Sequence, residues 1–202
     1  MHNEIIFDIE TQNWFEDGED RDLIKLKVSV VAVYSRTLDS GLKELDGKIQ
    51  SFWVDEIDKL WPVMQNADRI VGYNSINFDT PVLQSYASIP LNKLPQLDIM
   101  AEIKRVFGRR IALNAVAKET LGREKLEEGS MANVLWEKGD KASLQRLQKY
   151  CEEDVMITRD IYDFGLKNKK LKFKDKWNTV REVEVDFSYP EKKEESVQIG
   201  LF

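Results

Sequence analysis

The chain has 202 residues and a formal net charge of −6, which suits one domain with a full hydrophobic core and argues against a protein that coats nucleic acid electrostatically. Its single cysteine, Cys151, excludes an intramolecular disulfide and any cysteine-based metal cluster, and its only histidine, His2, excludes mechanisms that need a histidine in mid-chain. The lack of a long apolar run and of a signal peptide predicts a cytoplasmic protein without membrane contact.

Several segments in the first half of the chain have the patterns of β-strands: residues 5–10 alternate with period 2, and residues 26–34 are rich in β-branched side chains. Residues 5–10, 26–34 and 49–54 predict three strands that form an antiparallel meander. Two shorter apolar runs, at residues 70–73 and 97–100, predict two further strands.

Other segments repeat apolar residues at spacings of three and four, which predicts helices. The expected helices are one capped by Asp55 and running to Met64, one opening at Thr80-Pro81, and those at residues 101–107, 113–121, 130–137 and 141–166. Strands that come first, followed by strand–helix alternation and then helices, indicate an α/β fold with a mixed central sheet. Residues 173–187 are expected to add a hairpin or an edge strand.

Acidic residues occur in three separated places. Asp8 and Glu10 are two apart in the first strand, so both project from one face, where like charges repel unless a cation lies between them; a merely solvated acidic face is the alternative. Asp79 follows a predicted strand-to-helix turn. Tyr150 and Asp154 are four apart on the apolar stripe of the last helix, where a carboxylate is costly to bury. A metal ion shared by the four carboxylates would resolve that cost.

Three segments, in this order along the chain, resemble the motifs of the DEDD (DnaQ-like) superfamily of 3′–5′ exonucleases. They are Phe7-Asp8-Ile9-Glu10-Thr11, Asn74-x-x-x-Phe78-Asp79 and Tyr150-x-x-x-Asp154. The tyrosine resembles the DEDDy branch, which includes the proofreading domains of family A and B polymerases and RNase D. The resemblance covers about residues 4 to 165 and implies a ribonuclease H-like fold, with a mixed central sheet flanked by helices.

The resemblance also implies a two-metal mechanism with Mg²⁺ or Mn²⁺, ions that prefer oxygen ligands. By similarity, Asp8, Glu10 and Asp154 hold the ion that activates water. Asp8 bridges to a second ion, which Asp79 reaches directly or through water. Tyr150 orients the attacking water through its hydroxyl.

Substrate contacts are expected around these residues. By family analogy Thr11 touches the terminal nucleotide through its backbone, although it is equally a strand-end residue. Asn74 and Phe78 bind substrate or only shape the turn before Asp79. Trp14 and Phe15 stack on a splayed base, or pack as part of a lid or the core. A basic cluster is either a phosphate-contacting patch or a solvated helix end; it comprises Lys167, Lys169, Lys170, Lys172, Lys174 and Lys176.

The chain ends in a segment of different composition. Residues 1–187 are expected to form the exonuclease domain, and the charged residues 188–202 a flexible tail. Its last five residues, Gln198-Ile199-Gly200-Leu201-Phe202, resemble the pentapeptide with which bacterial replication and repair proteins bind the sliding clamp. Leu201 and Phe202 would be the apolar anchors and Gln198 the hydrogen-bonding group, while Ile199 replaces the commoner leucine. A chance apolar tail is the alternative.

Together these features predict a metal-dependent exonuclease that acts on DNA at single-stranded or frayed 3′ ends and is recruited by a bacterial-type sliding clamp. An RNase D-like 3′–5′ exoribonuclease is the first alternative. A clamp-bound adaptor that keeps the fold without the chemistry is the second.

Overall fold

A mixed five-stranded β-sheet lies at the centre of the computed structural model, which describes residues 1–15, 22–123 and 131–189. Its strands are β1 (His2–Thr11), β2 (Val28–Leu38), β3 (Glu44–Trp53), β4 (Arg69–Gly72) and β5 (Gln96–Asp98). Their order across the sheet is β3-β2-β1-β4-β5, with β1, β2 and β3 antiparallel and β4 and β5 parallel to β1. The α/β class, the mixed sheet and the antiparallel meander are confirmed.

Helices flank this sheet. In the described segments they are α1 (Leu60–Gln65), α2 (Asp79–Gln84), α3 (Ile99–Phe107), α4 (Leu113–Leu121), α5 (Met131–Lys138) and α6 (Lys141–Asn168). Short 3₁₀ turns occur at Leu23–Lys25, Val54–Lys59 and Leu91–Lys93. None of the helices in these segments is both long and apolar enough to cross a membrane.

Two predicted boundaries are wrong for identifiable reasons. Asp55 does not cap an α-helix, because it lies inside the 3₁₀ segment Val54–Lys59 and α1 begins only at Leu60. The strand expected at residues 97–100 ends at Asp98, whose side chain accepts a hydrogen bond from the amide of Ala101 and so caps α3.

The two faces of β1 are buried against different helices. Ile5, Phe7 and Ile9 face a core that includes residues of α1 and α2. Ile6, on the opposite face, belongs to the core formed with α3, α4, α5 and α6. Because side chains alternate along a strand, Asp8 and Glu10 project from the α6 face.

Polar contacts fix α6 on the sheet at the end of β1 where the chain begins. The buried Glu4 carboxylate accepts hydrogen bonds from Arg36 on β2, at 2.9 Å, and from the Tyr162 hydroxyl on α6, at 2.7 Å. Arg36 also donates two hydrogen bonds to Asp163 of α6, at 3.0 and 2.7 Å. These contacts fix the axial position of α6, and so determine which of its residues lie over the other end of β1.

Two further strands form a separate hairpin, so of the two structures expected for this region, a hairpin or an edge strand, the hairpin is confirmed. β6 (Lys170–Lys174) pairs antiparallel with β7 (Val180–Glu184) and packs against α4. The segment after β7 lies on α6 and continues to bury apolar side chains, Val185 and Phe187. Gly165 of α6 gives Phe187 its space, since a Cβ there would collide with the Phe187 ring.

Arg69 at the start of β4 binds this last described segment. Its guanidinium donates to the carbonyl oxygens of Phe187, at 2.6 Å, and Ser188, at 2.9 Å, and lies 3.7 Å from the centre of the Tyr189 ring. The Tyr189 hydroxyl donates to Glu4 at 2.6 Å. Contacts with the domain therefore continue to Tyr189. The predicted division after residue 187 stays a prediction, because residues 190–202 lie outside the described part of the chain.

Candidate active site

Three carboxylates meet at the end of β1. Asp8 and Glu10 of β1 and Asp154 of α6 each offer an oxygen, and these three oxygens lie within 4.8 Å of one another. Asp154 is only 5% exposed, whereas the other two side chains are partly exposed. The fold therefore brings together three predicted site residues, of which Asp154 is more than 140 positions from the other two in the chain.

The packing of α6 places Asp154 in this group. Helix α6 packs across β1 and β2, and its own residues Cys151 and Val155 are fully buried in this contact. The Cys151 thiol donates to the backbone carbonyl of Asp8 at 3.5 Å. Since residues three and four apart share one helix face, Asp154 follows Cys151 and Tyr150 on the face that meets the sheet.

Asp79 contacts β1 at the edge that pairs with β4. Its Oδ1 accepts a hydrogen bond from the amide of Ile9, between Asp8 and Glu10, at 3.3 Å. Strand β4 pairs with β1 only as far as Ile6, so the Ile9 amide is available to this carboxylate. Burial, together with the charge of Asp98, raises the pKa of Asp79 to about 7. Asp79 thus lies beside the three-carboxylate group and is not a member of it.

Tyr150 is buried next to the carboxylates. Burial and the negative charges of Asp154, Glu10 and Asp8 hold the pKa of its hydroxyl far above its usual range. The hydroxyl therefore stays protonated at neutral pH, which suits a group that orients a water molecule and not one that removes a proton.

Asp98 holds the turn between β4 and α2. Its carboxylate accepts hydrogen bonds from the amides of Asn74, at 2.8 Å, and Ile76, at 3.1 Å, in addition to capping α3. Asn74 adopts a left-handed conformation, with φ of 65°. From its position directly after Leu97, the sequence favours a role for Asp98 in ordering a strand end over a role in metal binding, and these contacts agree with that prediction.

Asn74 and Phe78 both shape the approach to Asp79. Phe78 directly precedes α2 and packs partly buried against the core on the α1 and α2 side of the sheet. The Asn74 side-chain oxygen is buried without a hydrogen-bond partner among the described residues. The substrate contacts expected of these two residues stay predictions.

Thr11 and Trp14 differ in their surroundings. Thr11 is buried, its hydroxyl donates to the carbonyl of Asn13 at 3.0 Å, and its own carbonyl accepts from the Asn133 side chain of α5 at 3.3 Å. Trp14 is 52% exposed, so it does not pack in the core. Phe15 packs against the core and is partly buried. The Trp14 ring is therefore accessible to a base, and its stacking role stays a prediction.

Sequence reasoning missed the neighbours of the site on β3. Trp53 pairs through Val30 with Glu10, and its ring stacks on Trp136 of α5 at a centroid distance of 6.3 Å. Ser51 donates to Glu152 of α6 at 2.7 Å. Glu152 lies on a different helix face from Asp154, so the sequence predicts a solvated side chain. That prediction is wrong: Glu152 is half-buried, because α6 lies close enough to the sheet for this side chain to reach β3.

The predicted basic cluster lies far from the carboxylates. Lys169 follows α6 fifteen residues after Asp154, about 20 Å along a helix. Lys170 and Lys172 pair with Glu182, at 3.0 and 3.8 Å, and Lys174 pairs with Glu119 at 3.2 Å. These lysines already have carboxylate partners, so we do not place a phosphate site there. The predicted clamp-binding residues, Gln198, Ile199, Leu201 and Phe202, lie outside the described residues.

Comparison with known proteins identifies the family. A family model for the RNase H superfamily matches residues 5–164. This chain belongs to the RNase H superfamily. A search of curated proteins gave no match.

Solved structures show the same fold. Fifty-five chains match, among them the family B DNA polymerase from the hyperthermophilic archaeon Pyrobaculum calidifontis, with a TM-score of 0.58 and 21% identity. The match covers 82% of this chain and 25% of the polymerase chain, so this member of the RNase H superfamily corresponds to about a quarter of that protein. At this identity the likeness concerns the fold alone.

The chemistry of the donor atoms fits a hard divalent cation. The three converging groups are all carboxylates, which provide oxygen ligands and three formal negative charges within a small volume. Such charges repel one another, and a divalent cation between them relieves the repulsion. In this RNase H superfamily fold the site is therefore suited to Mg²⁺ or Mn²⁺ and unsuited to a soft, thiolate-binding metal.

Proposed function

We propose that the protein is a metal-dependent 3′–5′ exonuclease that hydrolyses DNA phosphodiester bonds. The observation that carries the proposal is the convergence of Asp8, Glu10 and Asp154, with oxygens within 4.8 Å, beside the buried Tyr150. These residues are also the ones that resemble the DEDDy motifs. Superfamily membership supports nuclease chemistry, and the 3′–5′ direction rests on the motif resemblance.

In this proposal each group has a defined task. Asp8, Glu10 and Asp154 would hold one divalent ion, and Asp8 would share a second with Asp79, which would reach it directly or through water. Divalent ions bound there would supply a hydroxide nucleophile at neutral pH and stabilise charge on the leaving oxygen. The protonated Tyr150 hydroxyl holds the attacking water in line with the phosphorus. The hydrogen bond from the Ile9 amide keeps Asp79 directed toward β1.

Replacing Tyr150 with phenylalanine tests its positioning role. The substitution keeps the buried ring and removes only the hydroxyl, so the fold should be unchanged. We expect kcat on a single-stranded DNA oligonucleotide to fall by about 10- to 100-fold, since misplacing a reactant costs that much, while KM changes little. A kcat within twofold of the wild type would exclude the role.

The substrate class is decided by direct comparison. End-labelled single- and double-stranded DNA and RNA of one sequence should be incubated with Mg²⁺ or Mn²⁺. We expect fastest digestion of single-stranded or frayed DNA. Faster digestion of RNA would favour the RNase D-like alternative, and no digestion of any substrate would favour the adaptor.

We also propose that residues 198–202 bind a bacterial-type sliding clamp, on the strength of their likeness to the clamp-binding pentapeptide. Tethering raises the concentration of an enzyme at primer ends without new contacts in the active site.

Deleting residues 198–202 tests this second proposal. The shortened chain should lose measurable binding to a bacterial sliding clamp in surface plasmon resonance, because both apolar anchors are removed. Its digestion of free oligonucleotides should equal that of the full chain. Unchanged clamp binding would contradict the assignment.

A further inference from the structure

A loop between α3 and α4 lies on the same side of the sheet as the three carboxylates. The hydroxyl of Tyr73 donates to the carbonyl of Ile111, at 2.7 Å, and so holds this loop against the end of β4. Tyr73 and Tyr150 belong to the same buried cluster on the α6 face. Because β4 runs parallel to β1, the loop, residues 108–112, is therefore fixed on the face and at the end of the sheet that carry the carboxylates.

The loop carries two adjacent arginines, Arg109 and Arg110. Both are exposed, and neither forms an ion pair with any residue in the segments 1–15, 22–123 and 131–189. The nearby Arg105 differs, because it binds Glu102 at 2.7 Å. In a chain with a net charge of −6, two guanidinium groups without an ion pair among the described residues, on the same sheet face as the carboxylates, are available for an anionic ligand.

A second feature of the same loop favours an anion. Helix α4, nine residues long, begins directly after Ala112, which has an extended conformation and provides no side-chain hydrogen bond to the first amides. Alanine is a poor N-cap, so these amides are left to other acceptors. The N-terminal end of a helix also carries partial positive charge and binds phosphate oxygens well.

We propose that Arg109, Arg110 and the first amides of α4 form a phosphate subsite for the backbone of a single nucleic-acid strand whose 3′ end lies at the carboxylates. This inference rests on the proposed function. A guanidinium group can donate two parallel hydrogen bonds to the oxygens of one phosphate. Contacts of this kind hold a strand without reading its sequence. The subsite thus explains how an acidic protein retains an anionic substrate.

The test is binding of a 5′-fluorescein dT₁₂ oligonucleotide to the full chain, followed by fluorescence anisotropy in EDTA from 50 to 200 mM KCl. The variant Arg109→Ala/Arg110→Ala should bind about tenfold more weakly at 50 mM KCl. Its plot of log K against log[KCl] should be shallower by about 1.4, since each phosphate contact on a single strand contributes about 0.7.

A matched control removes two positive charges elsewhere. Lys170→Ala/Lys172→Ala takes away lysines already paired with Glu182, and should bind with the affinity and salt dependence of the wild type. Thermal unfolding of both variants verifies the fold. Equal losses in the two variants would reduce the effect to bulk charge and overturn the subsite. An unchanged arginine variant, or a wild type that binds no oligonucleotide, would overturn it as well.

The subsite and the proposed function fail separately. If the wild type binds through the two arginines but does not cleave with Mg²⁺ or Mn²⁺, the proposed function is wrong and the subsite stands. If the wild type cleaves and the arginine variant binds equally well, only the subsite is wrong.

Discussion

Replacing Asp8 with alanine should lower Mg²⁺- or Mn²⁺-dependent digestion of a single-stranded DNA oligonucleotide by at least about 10³-fold, a loss of about 4 kcal/mol in transition-state stabilisation. Asp8 is the member of the carboxylate group that, by resemblance, contacts both ions. The measurement is kcat/KM from the loss of end-labelled substrate. Retention of a tenth of the activity would show that the chemistry lies elsewhere.

Two controls make this result specific. Glu153→Gln removes a carboxylate next to Asp154 in sequence, but one that faces outward and pairs weakly with Lys149, at 3.9 Å; it should digest DNA like the wild type. Mn²⁺ at about 100 times its Kd should raise the wild-type Tm by roughly 5 °C or more, because a ligand of the folded state stabilises it. The Asp8→Ala chain should show a much smaller rise.

Replacing Phe187 with alanine should lower the free energy of unfolding by about 3–5 kcal/mol. The Phe187 side chain is fully buried, fills the space left by Gly165 and lies 5.6 Å from the Tyr162 ring. For a chain of this length the loss corresponds to a fall in Tm of about 10 °C. Thermal unfolding followed by circular dichroism measures it.

The matched control is Trp177→Ala in the turn of the hairpin. Trp177 is 66% exposed, so its removal should change the free energy of unfolding by no more than about 0.5 kcal/mol. If Phe187→Ala is as mild as this control, the segment after β7 does not contribute to the folded domain.

Short-range patterns in the sequence predicted most of the fold and the faces on which the site residues lie, whereas the grouping of the carboxylates was implied by the motif resemblance. Strict alternation in β1 placed Asp8 and Glu10 on one face, and the helical stripe of α6 placed Tyr150 and Asp154 together. The ends of α4 were predicted at Leu113 and Leu121, where the structure has them. Each of these inferences depends only on the repeat of a single element.

Features that depend on the contact between distant elements were not predictable in this way. The bond between Ser51 and Glu152 requires the axial position of α6 on the sheet, which Arg36 and Tyr162 fix through Glu4. The end of β5 depends on whether Asp98 caps the following helix, a choice that local apolar runs do not reveal.

The two arginines illustrate the same limit for function. In the sequence the six clustered lysines are the more conspicuous basic group, whereas Arg109 and Arg110 are only a pair. In the structure the arginines are the better candidates for binding phosphate, because several of those lysines pair with carboxylates and follow the C-terminal end of α6. The hydrogen bond from Tyr73 to Ile111 joins residues 38 positions apart and holds the arginine loop at the end of β4, on the sheet face that carries the carboxylates.

The most direct test of the account follows a 5′-labelled single-stranded DNA oligonucleotide on a sequencing gel, with the wild type and Asp8→Ala chains, in Mn²⁺ and in EDTA. The account predicts a ladder that shortens one nucleotide at a time from the 3′ end, for the wild type and only with Mn²⁺. A ladder that persists in EDTA or with Asp8→Ala, or a pattern of internal cuts, would contradict a carboxylate-bound metal site acting at 3′ ends.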